Sequence, residues 1–147
     1  MEPSLLLKPG RIGSLELKHR ILMGAMHLEI EGRRDSLPQL IAFYRERVRG
    51  GAALIVTGNV AVLPEGGGHG MFCLAEPDHR RQLGELAAAI REAGGLLALQ
   101  LAHRGRYAAS AETGLTPWAP SPIASRLTKE TPKEMTASDI AKLKEAF

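Results

Sequence analysis

Twice along this chain, apolar residues at helical spacing end at a Gly-Gly pair and give way at once to a strand-like run. Leu40, Ile41, Tyr44 and Val48 lead to Gly50-Gly51 and then to the run 52–56. Leu83, Leu86, Ala87 and Ile90 lead to Gly94-Gly95 and then to the run 96–101. The spacing predicts helices with one buried face, and the paired glycines supply their C-terminal stops. The unbroken apolar run 52–56 suits a strand covered on both faces, and 96–101 reads as a third strand. Ile21-Leu22-Met23, cut off at Gly24, adds an earlier strand. Gly58-Asn59 is expected to close the second strand. Thr136 ahead of Ile140 and Leu143 opens a third helix, still running at Phe147. In front of all this, Arg11-Ile12 and Leu15-Glu16-Leu17 flank Gly13-Ser14, the pattern of a small β-hairpin. Strands alternating with helices commit the chain to an α/β fold with a parallel sheet and right-handed crossovers.

Composition narrows the function classes. The chain has 147 residues, and its aromatic share of 4% leaves the core to Leu, Ile, Val, Ala and Met. Lys and Arg number 19 against 16 Asp and Glu, a net charge of +3. These charges alternate in 44–49 and 78–92 as on solvated helix faces, with no basic block, RNP-like aromatic cluster or zinc-finger spacing. Nucleic acid is therefore not an expected partner. The single Cys73 rules out an internal disulfide or a CxxC site and fits a reducing compartment. No apolar run approaches the roughly 20 residues of a spanning helix. The expectation is a cytoplasmic chain that engages no membrane.

Chemistry gathers where the strands end. Gly24 to His27, Gly58-Asn59 and Gln100 with His103 follow the three strands, and ligands of α/β proteins sit at carboxyl ends of parallel strands. The stretch 65–70, Glu-Gly-Gly-Gly-His-Gly, has neither a GxGxxG register nor a GxxxxGK[ST] pattern, and reads as a flexible loop. The five histidines lack metal-ligand spacing, and no GxSxG elbow exists. His79, between Asp78 and Arg80-Arg81, reads as solvated. The run 117–122 reads as a proline-rich irregular segment. Residues 100–107, Gln-Leu-Ala-His-Arg-Gly-Arg-Tyr, place an amide, an imidazole, guanidinium groups and a phenol close together. A buried Gln offers a donor and an acceptor to a heterocycle edge, and Arg suits an anion or an electron-rich ring. An ordinary strand-to-loop hydrogen-bond network uses the same groups.

These segments resemble a known family. Leu22-Met23-Gly24-Ala25-Met26-His27, Leu54-Ile55-Val56-Thr57-Gly58, the run 100–107, Ala119-Pro120-Ser121 and Glu134-Met135-Thr136 follow the order and spacing of the old yellow enzyme family of FMN-dependent oxidoreductases. The Met-Gly-x-Met-His and His-x-Gly-Arg-Tyr forms are similar to its 2,4-dienoyl-CoA reductase-like branch. The resemblance implies an FMN-carrying (β/α)8 barrel with a hairpin closing its bottom. It implies that Gly24, Ala25, Met26, His27, Gly58 and Gln100 lie against FMN. His27 would tune its potential, Gly58 would leave room for the pyrimidine edge, and Gln100 would bond that edge. His103, Arg106 and Tyr107 fall near the flavin or the substrate entrance.

A complete barrel takes about 250 residues. The chain is accordingly expected to be, over residues 1–147, the N-terminal portion of one FMN-binding barrel: the hairpin and about three βα units. The family's fourth-strand substrate residues and proton-donating Tyr have no counterpart here, so no catalytic residue is assigned within the chain, and no metal site. The implied parent activity is reduction of an activated C=C bond, in an enone or a 2,4-dienoyl thioester, with NAD(P)H as electron source. An iron–sulfur cluster would belong only to a longer parent. The alternative is a non-catalytic half-barrel or interaction module completed by another chain. With a sheet edge left unpaired, self-association is expected.

Overall fold

The computed structural model describes residues 4–147. Strands β1 (Gly10–Ile12) and β2 (Leu15–Leu17) pair antiparallel around Gly13, whose φ of 59° is the left-handed conformation the turn requires. Next come β3 (Leu22–Met23), α1 (Leu37–Arg49), β4 (Leu54–Ala61), β5 (Phe72–Cys73), α2 (Pro77–Glu92) and β6 (Leu97–Ala102). A short α3 (Ser110–Thr113), strands β7 (Trp118–Ala119) and β8 (Lys133–Glu134), and α4 (Ala137–Ala146) complete the order. The hairpin and the parallel βα units stand where the sequence pattern places them.

Strand β4 is the axis of the main sheet. On one edge it pairs in parallel with β3 at its start, Leu22 beside Leu54, and with β5 near its end, Val60 beside Phe72. On the other edge it pairs in parallel with β6, from Ile55 beside Leu97 to Ala61 beside Ala102. Gly58-Asn59 does not close the strand. The β4–β6 register shifts between Val56 and Asn59, so the glycine marks an irregularity through which the strand runs on to Ala61.

The main core lies between this sheet and its two helices. Leu40, Tyr44 and Val48 of α1 and Leu83, Leu86 and Ile90 of α2 close over Ile55, Val60 and Phe72. Strand β4 is covered as its apolar run predicts. Strand β6 is less covered: Leu99 is 39% and Leu101 37% exposed, because β6 is the outer strand of the described sheet. Residues 117–122 are not wholly irregular, since β7 pairs in parallel with β8 and buries Trp118. Helix α4 starts on a capping box between Thr136 and Asp139. Lys133 and the Thr136 groups hold the Asp139 carboxyl down at about 2. Leu143 and Ala146 of α4 pack on Val62, Leu63 and Trp118.

Candidate functional site

Three loops leave the carboxyl ends of β3, β4 and β6, and backbone and side-chain bonds stitch each to the next. From the β4 loop to the β6 loop, the Val62 N–H donates to the Ala102 carbonyl at 3.1 Å, and the Arg104 N–H donates to the Gly66 carbonyl at 2.9 Å. The His69 N–H donates to the Glu112 carboxylate at 2.9 Å, and Arg104 reaches the same oxygen at 2.6 Å. The His69 N–H, and after it the Arg104 guanidinium, outweigh partial burial and hold the Glu112 carboxyl below its usual range. From the β3 loop to the β4 loop, the Gly32 N–H donates to the Gly70 carbonyl at 3.0 Å, and Arg33 lies 3.3 Å from His69 Nε2.

The glycine-rich stretch 65–70 is therefore a packed connection, not a flexible loop. A Cβ on Gly66 would lie 2.2 Å from the His103 ring, and one on Gly68 would lie 1.9 Å from the Arg104 guanidinium. These glycines serve close approach by the β6 loop.

Gly24, Ala25 and Met26 line the open surface beyond β3, with nothing within 4 Å of the space a Gly24 side chain would fill. The His27 imidazole is held between two loops: Nδ1 lies 3.2 Å from the Glu31 carboxylate and Nε2 lies 3.2 Å from the His69 carbonyl. Gly58 is buried, and its small size has a cause within the chain. A Cβ there would come within 2.7 Å of both Glu31 Oε1 and the Met26 carbonyl, and within 2.9 Å of His27 Cα. On that side the expected room for a ligand edge is filled by the β3 loop.

Gln100 is exposed rather than buried, because β6 has no neighbour on its far side among the described residues. Its N–H donates to the hydroxyl of buried Thr57 at 3.2 Å, while its side-chain amide makes no hydrogen bond within the described residues. Arg106 reaches the Tyr107 hydroxyl at 3.4 Å, and Tyr107 is exposed beside it. The structure thus gathers His27 with the β4 loop, and His103 and Arg104 with that same loop; among the described residues it shows no such contact for Gly24, Arg106 or Tyr107.

His103 is fixed by its neighbours. Its Nδ1 accepts the Gly105 N–H at 3.1 Å, which puts the proton of the neutral ring on Nε2. That atom is buried and unpartnered, as is Glu65 Oε2. Burial pushes the imidazole below its ordinary 6.5, with the nearby Glu65 carboxylate opposing. The folded chain therefore binds this proton less readily than the unfolded chain. Its contribution to stability is complete above the unfolded-state value and is lost as pH falls below it. Urea unfolding from roughly pH 7.5 down to pH 5 should show this loss. His103→Asn keeps an acceptor for the Gly105 N–H but cannot titrate, and should lose less stability over that interval. Parallel profiles for the two proteins would remove His103 as the cause.

His79 is placed differently from its sequence context, and two acids escaped it. His79 is half-buried: its Nδ1 accepts the Cys73 N–H at 2.9 Å, its Nε2 lies 3.3 Å from the Gly32 carbonyl, and its ring meets Phe72 edge-on. Burial pushes the Cys73 thiol up, which keeps it protonated and a poor nucleophile. Glu31 and Glu112 hold the loops together, yet they lie in no motif. Among the described residues no group of three or more His, Cys, Asp or Glu is placed to hold a metal ion, and no helix is long and apolar enough to cross a membrane.

A family model described as NADH:flavin oxidoreductase / NADH oxidase matches residues 5–147. A metal reductase of Desulforamulus reducens is 44% identical over 144 residues, covering 98% of this chain and 22% of that protein. Among solved structures, a 2-naphthoyl-CoA reductase complex superposes with a TM-score of 0.85 at 27% identity, over 97% of this chain and 24% of that one. An old yellow enzyme homologue from Zymomonas mobilis gives 0.81 at 25% identity, over 97% of this chain and 43% of that one. The chain spans less than half the length of each.

Proposed function

Because the chain belongs to the NADH:flavin oxidoreductase / NADH oxidase family, we propose that it is the N-terminal portion, residues 1–147, of one FMN-binding barrel in a cytoplasmic oxidoreductase. The reaction we assign to the whole protein is reduction of an activated C=C bond, in an enone or a 2,4-dienoyl thioester, with NAD(P)H as electron source. Likeness to a reductase solved with 2-naphthoyl-CoA supports a conjugated thioester as substrate. The Desulforamulus reducens relative is named for a different electron acceptor, a metal.

The observation that carries this reading is the open shelf at the strand ends. Gly24 faces open space and Gln100 presents a side-chain amide with no partner among the described residues, a fit to a planar heterocycle that needs close backbone approach and a paired donor and acceptor. Gly24, Ala25 and Met26 would hold FMN by backbone contact, with His27 beside them and Gln100 at its pyrimidine edge. Gly58 would act indirectly, by letting the 26–27 backbone lie close to β4. His103, Arg106 and Tyr107 would border the flavin or the substrate entrance. FMN, when bound, supplies the hydride chemistry, while the protein orients it and excludes competing reactions. The described residues offer no proton donor to which the final protonation can be assigned.

Replacing Gln100 with Leu tests the reading in the barrel completed to its relatives' full length. Loss of a donor–acceptor pair at a buried heterocycle edge costs about 1–3 kcal/mol, so the FMN dissociation constant should rise roughly 5- to 150-fold. An unchanged constant in a folded variant would sink the assignment.

The unpaired outer edge of β6, with Leu99 and Leu101 exposed, favours a second reading for the chain as it stands: a half-barrel that completes its sheet with another chain.

A further inference from the structure

Glu31 is a carboxylate with only 3% of its side chain exposed, placed beneath the loop that follows β3. Its Oε1 accepts the Leu28 N–H at 2.7 Å and its Oε2 accepts the Ile30 N–H at 3.1 Å. The same Oε2 lies 3.2 Å from His27 Nδ1. One buried side chain thus fixes two backbone amides and one imidazole of a single loop. Gly58 lets it sit there, since a Cβ on Gly58 would come within 2.7 Å of Glu31 Oε1. Beneath lies Tyr44, fully buried on α1, whose hydroxyl burial and the Glu31 charge together push above its ordinary range. A buried carboxylate is stable only when its oxygens are satisfied, so the loop is held to the one shape that supplies those donors.

We propose that Glu31 is a positioning residue: it clamps residues 27–30 and aims the His27 ring, and so sets the flavin potential without touching the cofactor. The clamp stands on the geometry above; its effect on the potential rests on the reading of His27 as a neighbour of FMN. His27 cannot hold this pose by the His69 carbonyl alone, because a single contact leaves the ring free to turn about it.

The test uses the FMN-loaded full-length protein with Glu31→Gln, Glu31→Asp and His27→Ala. Hydrogen exchange read by mass spectrometry over residues 27–31 reports the clamp, and the flavin midpoint potential reports its consequence. Glu31→Gln puts an amide donor against backbone donors, so exchange at Leu28 and Ile30 should quicken roughly tenfold or more. Its potential should shift in the same direction as that of His27→Ala, towards more negative values. Glu31→Asp keeps the charge, should restore part of both, and carries the test if Glu31→Gln fails to fold. Unchanged exchange in folded Glu31→Gln overturns the clamp. Quickened exchange with a wild-type potential, while His27→Ala shifts it, overturns the link to the cofactor. A wild-type potential in His27→Ala brings down the placement of His27 beside FMN, and with it that link, while the exchange data still decide the clamp.

Discussion

Gly70→Val is expected to lower the stability of this fold by at least about 3 kcal/mol. Two costs add at one position. Gly70 has φ of 64°, a conformation that a β-branched residue adopts only under strain. A Cβ there would lie 2.2 Å from the Glu29 carbonyl oxygen and 2.3 Å from its carbon, both backbone atoms that cannot swing aside. Glu29 is itself left-handed, with φ of 61°, so the two segments meet at paired turns with no slack. Gly84 supplies the contrast. It lies within α2, with nothing within 4 Å of an added Cβ, so Gly84→Ala should raise stability by about 0.5–1 kcal/mol. Denaturant midpoints read both. A Gly70→Val midpoint equal to the wild-type value would mean that the loops do not depend on this contact.

The second large effect concerns association. The 147-residue chain alone should elute as a dimer or larger species in light-scattering chromatography, because β6 leaves one side of its backbone unpaired in the described sheet. Leu99 and Leu101, alternate residues on one face of that strand, add exposed apolar surface. Ile21 and Leu22, at 45% and 43% exposure, do the same on the β3 side. Lysines at 99 and 101 put charge where a second strand must dock, so Leu99→Lys/Leu101→Lys should shift the population to monomer. A wild-type chain that is monomeric at every accessible concentration would remove the edge as a docking element.

Local pattern made the hairpin, both long helices and the parallel strands legible, because each depends on residues within a few positions of one another. The errors share another origin. Gly58-Asn59 has the composition of a strand end, yet β6 pairs across it and carries β4 on to Ala61. The stretch 65–70 has the composition of a mobile loop, yet His103 and Arg104 arrive from the next βα unit and fill the space its glycines leave. Gln100 reads as a buried amide at a strand end, and only the sheet order reveals that its strand is outermost in the described sheet. His79 sits among charges in sequence and against Phe72, Cys73 and Gly32 in space. Glu31 carried no motif, because its role follows from donors that only the folded loop presents.

The stitching of the three loops also sets when this site can form during folding. The contacts Arg33–His69, His27–His69 and His69–Glu112 join residues 36, 42 and 43 positions apart. Each closes a long loop, and the entropy of closure is repaid only once the intervening strand and helix have docked. The β4–β6 pairing spans the same range, 42 positions from Ile55 to Leu97 and 41 from Ala61 to Ala102, so the rim that carries His27, His69 and His103 is expected to close together with the sheet. During synthesis on the ribosome, the first half of this site must wait, unformed, until residues of the third βα unit have emerged.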